Sequence, residues 1–175
     1  MDLICFGDSL TNGEIGCSYR SYLDKNHKTI NKGIDGDTTE GMYLRLKNFL
    51  QKDNIYEYYI IFIGINDVLF SFSNEQQFTS IYEKIVKLLK ENNKKVIFIS
   101  LPFVEFYNFD TKSIISRNKI INALCKKYNF LFINIFDIQY NEFKKEKKLT
   151  IDGVHFNEYS AKLLAKELNK IIKDL

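Results

Sequence analysis

The chain holds two histidines, His27 and His155, and only His155 is well placed for general-base work. It closes the stretch "DGVH", with Asp152 three positions earlier. In a tight loop or a first helical turn, that separation lets a carboxylate bond the imidazole Nδ1. The bond fixes the tautomer and presents Nε2 to a partner. A partner of the right type stands far upstream, where an apolar run breaks into "GDSL" at Ser9. A serine hydroxyl is a weak nucleophile until a neighbouring base takes its proton. Ser9, His155 and Asp152 together would suffice for acyl transfer, whose tetrahedral intermediate carries a negative oxygen and needs preorganised donors. Candidates are the backbone N–H groups of Ser9 and Gly36 and the side-chain amide of Asn66.

These residues need elements that bring them together. Short apolar runs at 3–6, 28–34, 58–64, 95–100 and 130–135 alternate with segments of helical period. Three of the runs are nearly continuous in apolar residues, as strands covered on both faces must be. Met42, Leu46, Phe49 and Leu50 share one helical face, as do Phe78, Ile81, Ile85, Leu88 and Leu89. Ile114, Ile121, Leu124 and Cys125 line up more weakly, and Ala161, Leu164, Ala165, Leu168 and Ile172 clearly. Asp37, three residues before Glu40, reads as a helix N-cap with a reciprocal partner. The order βαβαβαβαβα predicts a parallel sheet between helix layers, with ligands bound beyond the carboxyl ends of the strands. Ser9, Gly36 and Asn66 each follow such an end, and Asp152–His155 follows the fifth run after a lysine-rich loop and opens the last helix. His27 falls at the end of the first helix, close to the opposite edge. Each short motif is weak alone; complementary roles at successive strand ends are the stronger signal.

Composition sets the class. Hydrophobic residues make up 45% of 175 residues and charged residues 27%, ordinary for a globular chain. One domain spanning 1–175 is expected, a length that buries about two-thirds of the unfolded surface. A formal charge of +3 is too small to imply nucleic acid, and the lysine runs at 90–95 and 144–148 read as solvated faces. Cys5, Cys17 and Cys125 lack metal-ligand spacing and read as free thiols in a reducing compartment. The first core strand begins by residue 3, and the longest apolar stretch falls well short of a membrane span. A cytoplasmic protein with a small-molecule partner, no nucleic acid and no transmembrane segment is expected.

The blocks "FGDSLTNG" (6–13), "NKGIDGDTT" (31–39), "GIND" (64–67) and "DGVHFN" (152–157) resemble, in order and spacing, the GDSL or SGNH family of serine hydrolases. The resemblance runs through nearly the whole chain. It implies a three-layer α/β/α, flavodoxin-like fold of about five parallel strands. It also implies esterase or acylhydrolase chemistry without metal or organic cofactor, with Ser9, Gly36, Asn66 and His155 as signature residues and Asp152 completing the triad. Two positions depart from the usual pattern. Phe156 follows the histidine where proline or leucine is frequent, and Asp35 stands beside the anion site, where its carboxylate must point away. The second glycine of the α/β-hydrolase elbow is also missing, its place taken by Thr11.

Aromatic residues crowd two strand-end loops. Phe70 and Phe72 follow Asn66; Phe103, Phe106, Tyr107 and Phe109 follow the fourth run. Phe70, Phe103 and Phe106 are the candidates for a substrate wall, since apolar side chains line most small-molecule clefts. The leading expectation is cleavage of a carboxylic ester or thioester through an acyl-enzyme. Carbohydrate O-deacetylation with the same triad is the alternative. A non-catalytic flavodoxin-like binding module is a third reading, with neither a G-x-G-x-x-G fingerprint nor a P-loop lysine to support it.

Overall fold

A computed structural model describes residues 1–52 and 55–175. Five parallel strands run through the middle: β1 (Asp2–Gly7), β2 (Lys28–Gly33), β3 (Tyr58–Phe62), β4 (Lys95–Ile99) and β5 (Leu131–Ile133), in the order β2-β1-β3-β4-β5. The helices are α1 (Ser9–Asn12), α2 (Thr39–Lys52), α3 (Ile65–Leu69), α4 (Glu75–Glu91), α5 (Lys112–Tyr128), α6 (Ile135–Phe143) and α7 (Glu158–Ile172). A 3-10 turn at Tyr19–Tyr22 stands between α1 and β2. Helices α2, α4 and α5 pack side by side, and α7 packs against both the 3-10 turn and α6. This is the α/β layer arrangement the alternation predicts.

The central strands explain their own composition. Leu3 to Phe6, Tyr59 to Phe62 and Val96 to Ile99 are buried without alternation, because helices cover both faces of the sheet. The predicted faces of α2, α5 and α7 lie in the core, with Met42, Leu46, Ile114, Ile121, Leu164 and Leu168 fully buried. The strand order also locates the crevice. The chain leaves β1 for β2 on one side, then returns to place β3 on the other, so the order reverses between β1 and β3. Ligands of such sheets bind at that reversal. Ser9 follows β1 there and Asn66 follows β3.

Several expectations are corrected. The first crossover holds no long helix: four residues of α1 and the 3-10 turn fill it, with Tyr19 and Leu23 buried in the core, Tyr22 packed against it and α7 lying on the turn. His27 therefore sits half-buried in a turn before β2, not at a helix end. Helix α6 occupies the stretch after β5 that reads as loop. Asp152 to His155 form a bend before α7, whose N-cap is Asn157. At α2 the cap lies one residue later than expected: Thr38 Oγ1 accepts from the Gly41 N–H at 3.2 Å, while the Asp37 carboxylate pairs with Arg45.

Helix α1 is capped at its start by Asp8, whose Oδ1 accepts from the Leu10 N–H at 3.0 Å. Asp8 is 1% exposed, and its other oxygen has no hydrogen-bond partner among the described residues. Burial pushes its carboxyl up to about 7; the Leu10 N–H works against that, and the Asp37 and Asp67 carboxylates add to it. The folded chain thus keeps a proton that the unfolded chain releases near pH 4. Its contribution to stability is complete below the unfolded value and is lost as pH rises through about 7. Asp8→Asn retains the oxygen that caps α1 without the titration. Melting temperatures of parent and variant at about pH 5 and about pH 8 should move apart in the variant's favour at the higher pH. A difference independent of pH would overturn this account of Asp8.

Candidate active site

Ser9 is the first residue of α1 and only 5% exposed. Its Oγ lies 2.9 Å from His155 Nε2, and His155 Nδ1 lies 2.5 Å from Asp152 Oδ2. The other oxygen of Asp152 accepts the backbone N–H groups of His155 at 2.8 Å and Val154 at 3.0 Å. The carboxylate is thereby divided between the main chain and the imidazole, which orients the ring. Burial raises the Asp152 carboxyl, but the His155 ring and the two amides outweigh it and hold the group below the ordinary aspartate value. It is an anion at neutral pH. With Nδ1 donating to that anion, Nε2 offers its lone pair to the serine hydroxyl.

The loop carrying His155 is fixed from several sides. Thr150 and Phe156 form an isolated antiparallel bridge, and the Ile151 N–H donates to the His155 carbonyl at 2.9 Å. Phe156 is buried with its ring centroid 5.9 Å from that of Phe62, and its carbonyl accepts from the Cys17 N–H at 2.8 Å. The unusual aromatic after the histidine therefore anchors the loop to β3.

Gly36 has φ +73°, a region where an L side chain is strained, and a Cβ there would point into empty space. Its turn closes through the Asp37 N–H, which donates to the Ile34 carbonyl at 3.1 Å, and joins β1 through Ile34 N–H to Gly7 carbonyl at 3.1 Å. Asn66 Nδ2 donates to the Asp37 carbonyl at 2.9 Å, which holds the amide over the same turn and leaves its second N–H for a ligand. The Ser9 N–H begins α1, where a helix offers no acceptor of its own. Ser9 and Asn66 thus flank the reversal point of the sheet, and the Asn66 amide reaches the turn that carries Gly36. Asp35 bonds the Asn12 side chain at 2.9 Å, so its carboxylate is engaged elsewhere.

Sequence reasoning missed what holds this turn in place. Arg45 reaches from α2 to pair with the Asp37 carboxylate and donates to the carbonyls of Lys32 at 3.0 Å and Gly7 at 3.3 Å. Asp67 accepts from Thr39 N–H at 2.9 Å, Thr39 Oγ1 at 2.7 Å and Ser73 Oγ at 3.1 Å, tying α3 to the start of α2. A signal for Arg45 existed. Only three of the 25 basic residues are arginine, and each of them donates to two backbone carbonyls. Where lysine is the default cation, arginine marks a place that needs its forked donors.

A cleft of about 380 Å³ opens beside His155 and Asn66, walled by Leu69, Phe70, Phe106, Phe109 and Val154. Phe70 and Phe106 stand where the sequence suggests. Phe103 does not: it is 6% exposed, with its ring 4.8 Å from Phe143, 5.6 Å from Tyr140 and 5.7 Å from Phe136. Helix α6, unforeseen in sequence, draws that ring into packing. Phe72 lines a second cavity of about 390 Å³ beside Asp67, whose walls include Thr38, Ser73, Gln76, Gln77 and Ser80. Among the described residues, no cluster of three or more His, Cys, Asp or Glu side chains could hold a metal ion. Burial pushes the thiols of Cys5 and Cys125 up to about 12. The 144–148 lysines are exposed, and Lys145 pairs with Glu142 at 2.7 Å.

Comparisons with known proteins bear on the fold and the family. A lipase/acylhydrolase from Enterococcus faecalis superposes with a TM-score of 0.80 at 21% identity, over 99% of this chain and 95% of that one. The acetyl xylan esterase AlAXEase gives 0.83 at 24%, over 98% and 100%. An acetylxylan esterase from Geobacillus stearothermophilus gives 0.79 at 20%, over 98% and 93%. No curated protein sequence matches significantly. The profile of the GDSL-like lipase/acylhydrolase family matches residues 5–163. The chain belongs to that family and is a hydrolase of ester bonds.

Proposed function

We propose that the protein cleaves carboxylic esters by two acyl transfers through Ser9. The observation that carries this reading is the unbroken line of hydrogen bonds from Ser9 Oγ to His155 and on to Asp152, at 2.9 and 2.5 Å. His155 Nε2 takes the hydroxyl proton as Oγ attacks the carbonyl carbon, and the carbonyl electrons become an oxyanion. The N–H groups of Ser9 and Gly36 and the Asn66 amide receive it. Collapse expels the alkoxide, which takes the proton from Nε2 and leaves an acyl-serine. Water then attacks with His155 again as base, the second intermediate expels Ser9 Oγ, and the acid departs. Asp152 stabilises the imidazolium in each half without giving up its charge. In the Geobacillus enzyme the aspartate and the histidine altered in catalytic mutants stand three residues apart, the spacing of Asp152 and His155.

The apolar cleft beside His155 suits an acyl group or an apolar alcohol. A second reading, carbohydrate O-deacetylation, draws support from the hydroxyl- and amide-lined cavity beside Asp67. There Phe72 is 63% exposed and offers a face for a sugar ring. Two of the structural neighbours described above are acetyl xylan esterases.

Ser9→Ala should lower kcat on p-nitrophenyl acetate by several orders of magnitude, with a residue left by the donors alone. A fluorophosphonate should label the parent at Ser9 and not the variant. Near-parental turnover by the variant would end the reading. Asn66→Ala should cost about a hundredfold in kcat with a smaller change in KM, measured on the same ester. A KM effect alone would place Asn66 outside the anion site. A panel of p-nitrophenyl esters of rising chain length beside acetylated xylo-oligosaccharides decides between the two readings: higher kcat/KM on the sugars selects deacetylation.

A further inference from the structure

The residue that joins the base to the cleft wall belongs to neither. Glu105 lies in the loop between β4 and α5, far in sequence from His155. Its carboxylate receives the Leu149 N–H at 3.1 Å, the Thr150 N–H at 2.7 Å and the Thr150 hydroxyl. Its own N–H donates to the Gly153 carbonyl at 2.8 Å. The Thr150 oxygen that donates to Glu105 accepts in turn from the Gly153 N–H at 3.1 Å. Both polar groups of Gly153, which lies between Asp152 and His155 in the chain, therefore lead back to Glu105, one directly and one through Thr150. No ion pair joins Glu105 to a cation among the described residues. Two amides and one hydroxyl meet its charge, and the geometry is directional where an ion pair would be loose.

The next residue carries the same connection to the cleft. Phe106 lies so close over Gly153 that a Cβ there would fall 2.4 Å from its ring, and Gly153 has φ +104°, where a side chain would be strained in any case. Phe106 also walls the cleft beside His155. Main chain and ring thus hold the loop of the base and the wall of the cleft in one register.

We propose that Glu105 is a positioning residue: it sets the neck of the Asp152–His155 loop and registers Phe106 against it, so that Nε2 is held over Ser9. The proposal rests on the acyl-transfer reading of the site. Small displacements of a catalytic group carry large rate costs, of order a hundredfold for about 1 Å. Glu105→Gln keeps the shape but turns an N–H₂ toward donors. Thr150→Val removes the hydroxyl, and Thr150→Ser restores it.

The experiment measures kcat and KM on p-nitrophenyl acetate, the fraction of Ser9 titratable by a fluorophosphonate, and the downfield proton resonance of His155 Nδ1. That resonance is identified by its loss in Asp152→Asn. Expected are a fall in kcat of about tenfold or more for Glu105→Gln and Thr150→Val, a KM within about twofold, full Ser9 titration and a broadened resonance. Thr150→Ser should recover the parental values. If Glu105→Gln fails to fold, the two Thr150 variants decide. Parental kcat with an unchanged resonance overturns the proposal, as does a kcat loss matched by loss of titratable Ser9. If the parent cleaves no ester, the functional reading fails by itself, and the resonance still decides the role of Glu105.

Discussion

Ser9 rides on a helix of four residues, and a helix that short cannot hold itself together. Forming one turn fixes several dihedrals for a single hydrogen bond, so nucleation is unfavourable without outside partners. Here those partners stand at both ends. Asp8 takes the Leu10 N–H at the start. At the finish, Arg20 donates to the carbonyls of Thr11 and Asn12, each at 2.7 Å, and the Ser18 hydroxyl adds a bond to Thr11 at 3.0 Å. Gly13 then turns the chain away with φ +79°. The direction of the Ser9 hydroxyl is thus set by groups on either side of it, and the rest of the site is built around that fixed point.

The same region concentrates negative charge, which sits poorly beside a developing oxyanion. The sequence places Asp8, Asp35, Asp37 and Asp67 within a few residues of the proposed donors. Each is engaged. Asp35 is turned to Asn12, Asp37 is paired with Arg45, Asp67 is occupied by three donors, and burial favours the protonated form of Asp8. Charge that would oppose the reaction is instead spent on tying strand ends together. Asp37 has both uses at once: its carboxylate receives Arg45 and its carbonyl receives Asn66.

Much of this was legible in the sequence because it is local. Residue type and place after an apolar run pointed to Ser9, Gly36 and Asn66, since parallel strands deliver their ends to one edge, and the three-residue spacing pointed to the Asp152–His155 pair. The strands follow from continuous apolar runs, and the buried faces of α2, α4, α5 and α7 from helical period. What escaped is non-local or aperiodic. Arg45 and Glu105 act through backbone groups far along the chain, and no spacing rule reports such contacts. Phe103 and Phe106 are three apart in a loop without a repeating face, so nothing in their order says which one packs against α6 and which one faces the cleft. The first crossover has apolar residues enough for a helix, but the structure spends them on a 3-10 turn beneath α7.

The hydroxyl and the imidazole that meet at 2.9 Å are 146 residues apart in the chain. Helix α7, beyond the base, lies on the 3-10 turn that follows the nucleophile, and Asn169 bonds the Asp24 N–H at 3.0 Å. During synthesis, then, the ribosome releases Ser9 long before His155, its proposed proton acceptor, exists. On the acyl-transfer reading proposed above, a chain that stops short of His155 carries an inert alcohol, and reactivity arrives only when the two distant segments close on each other.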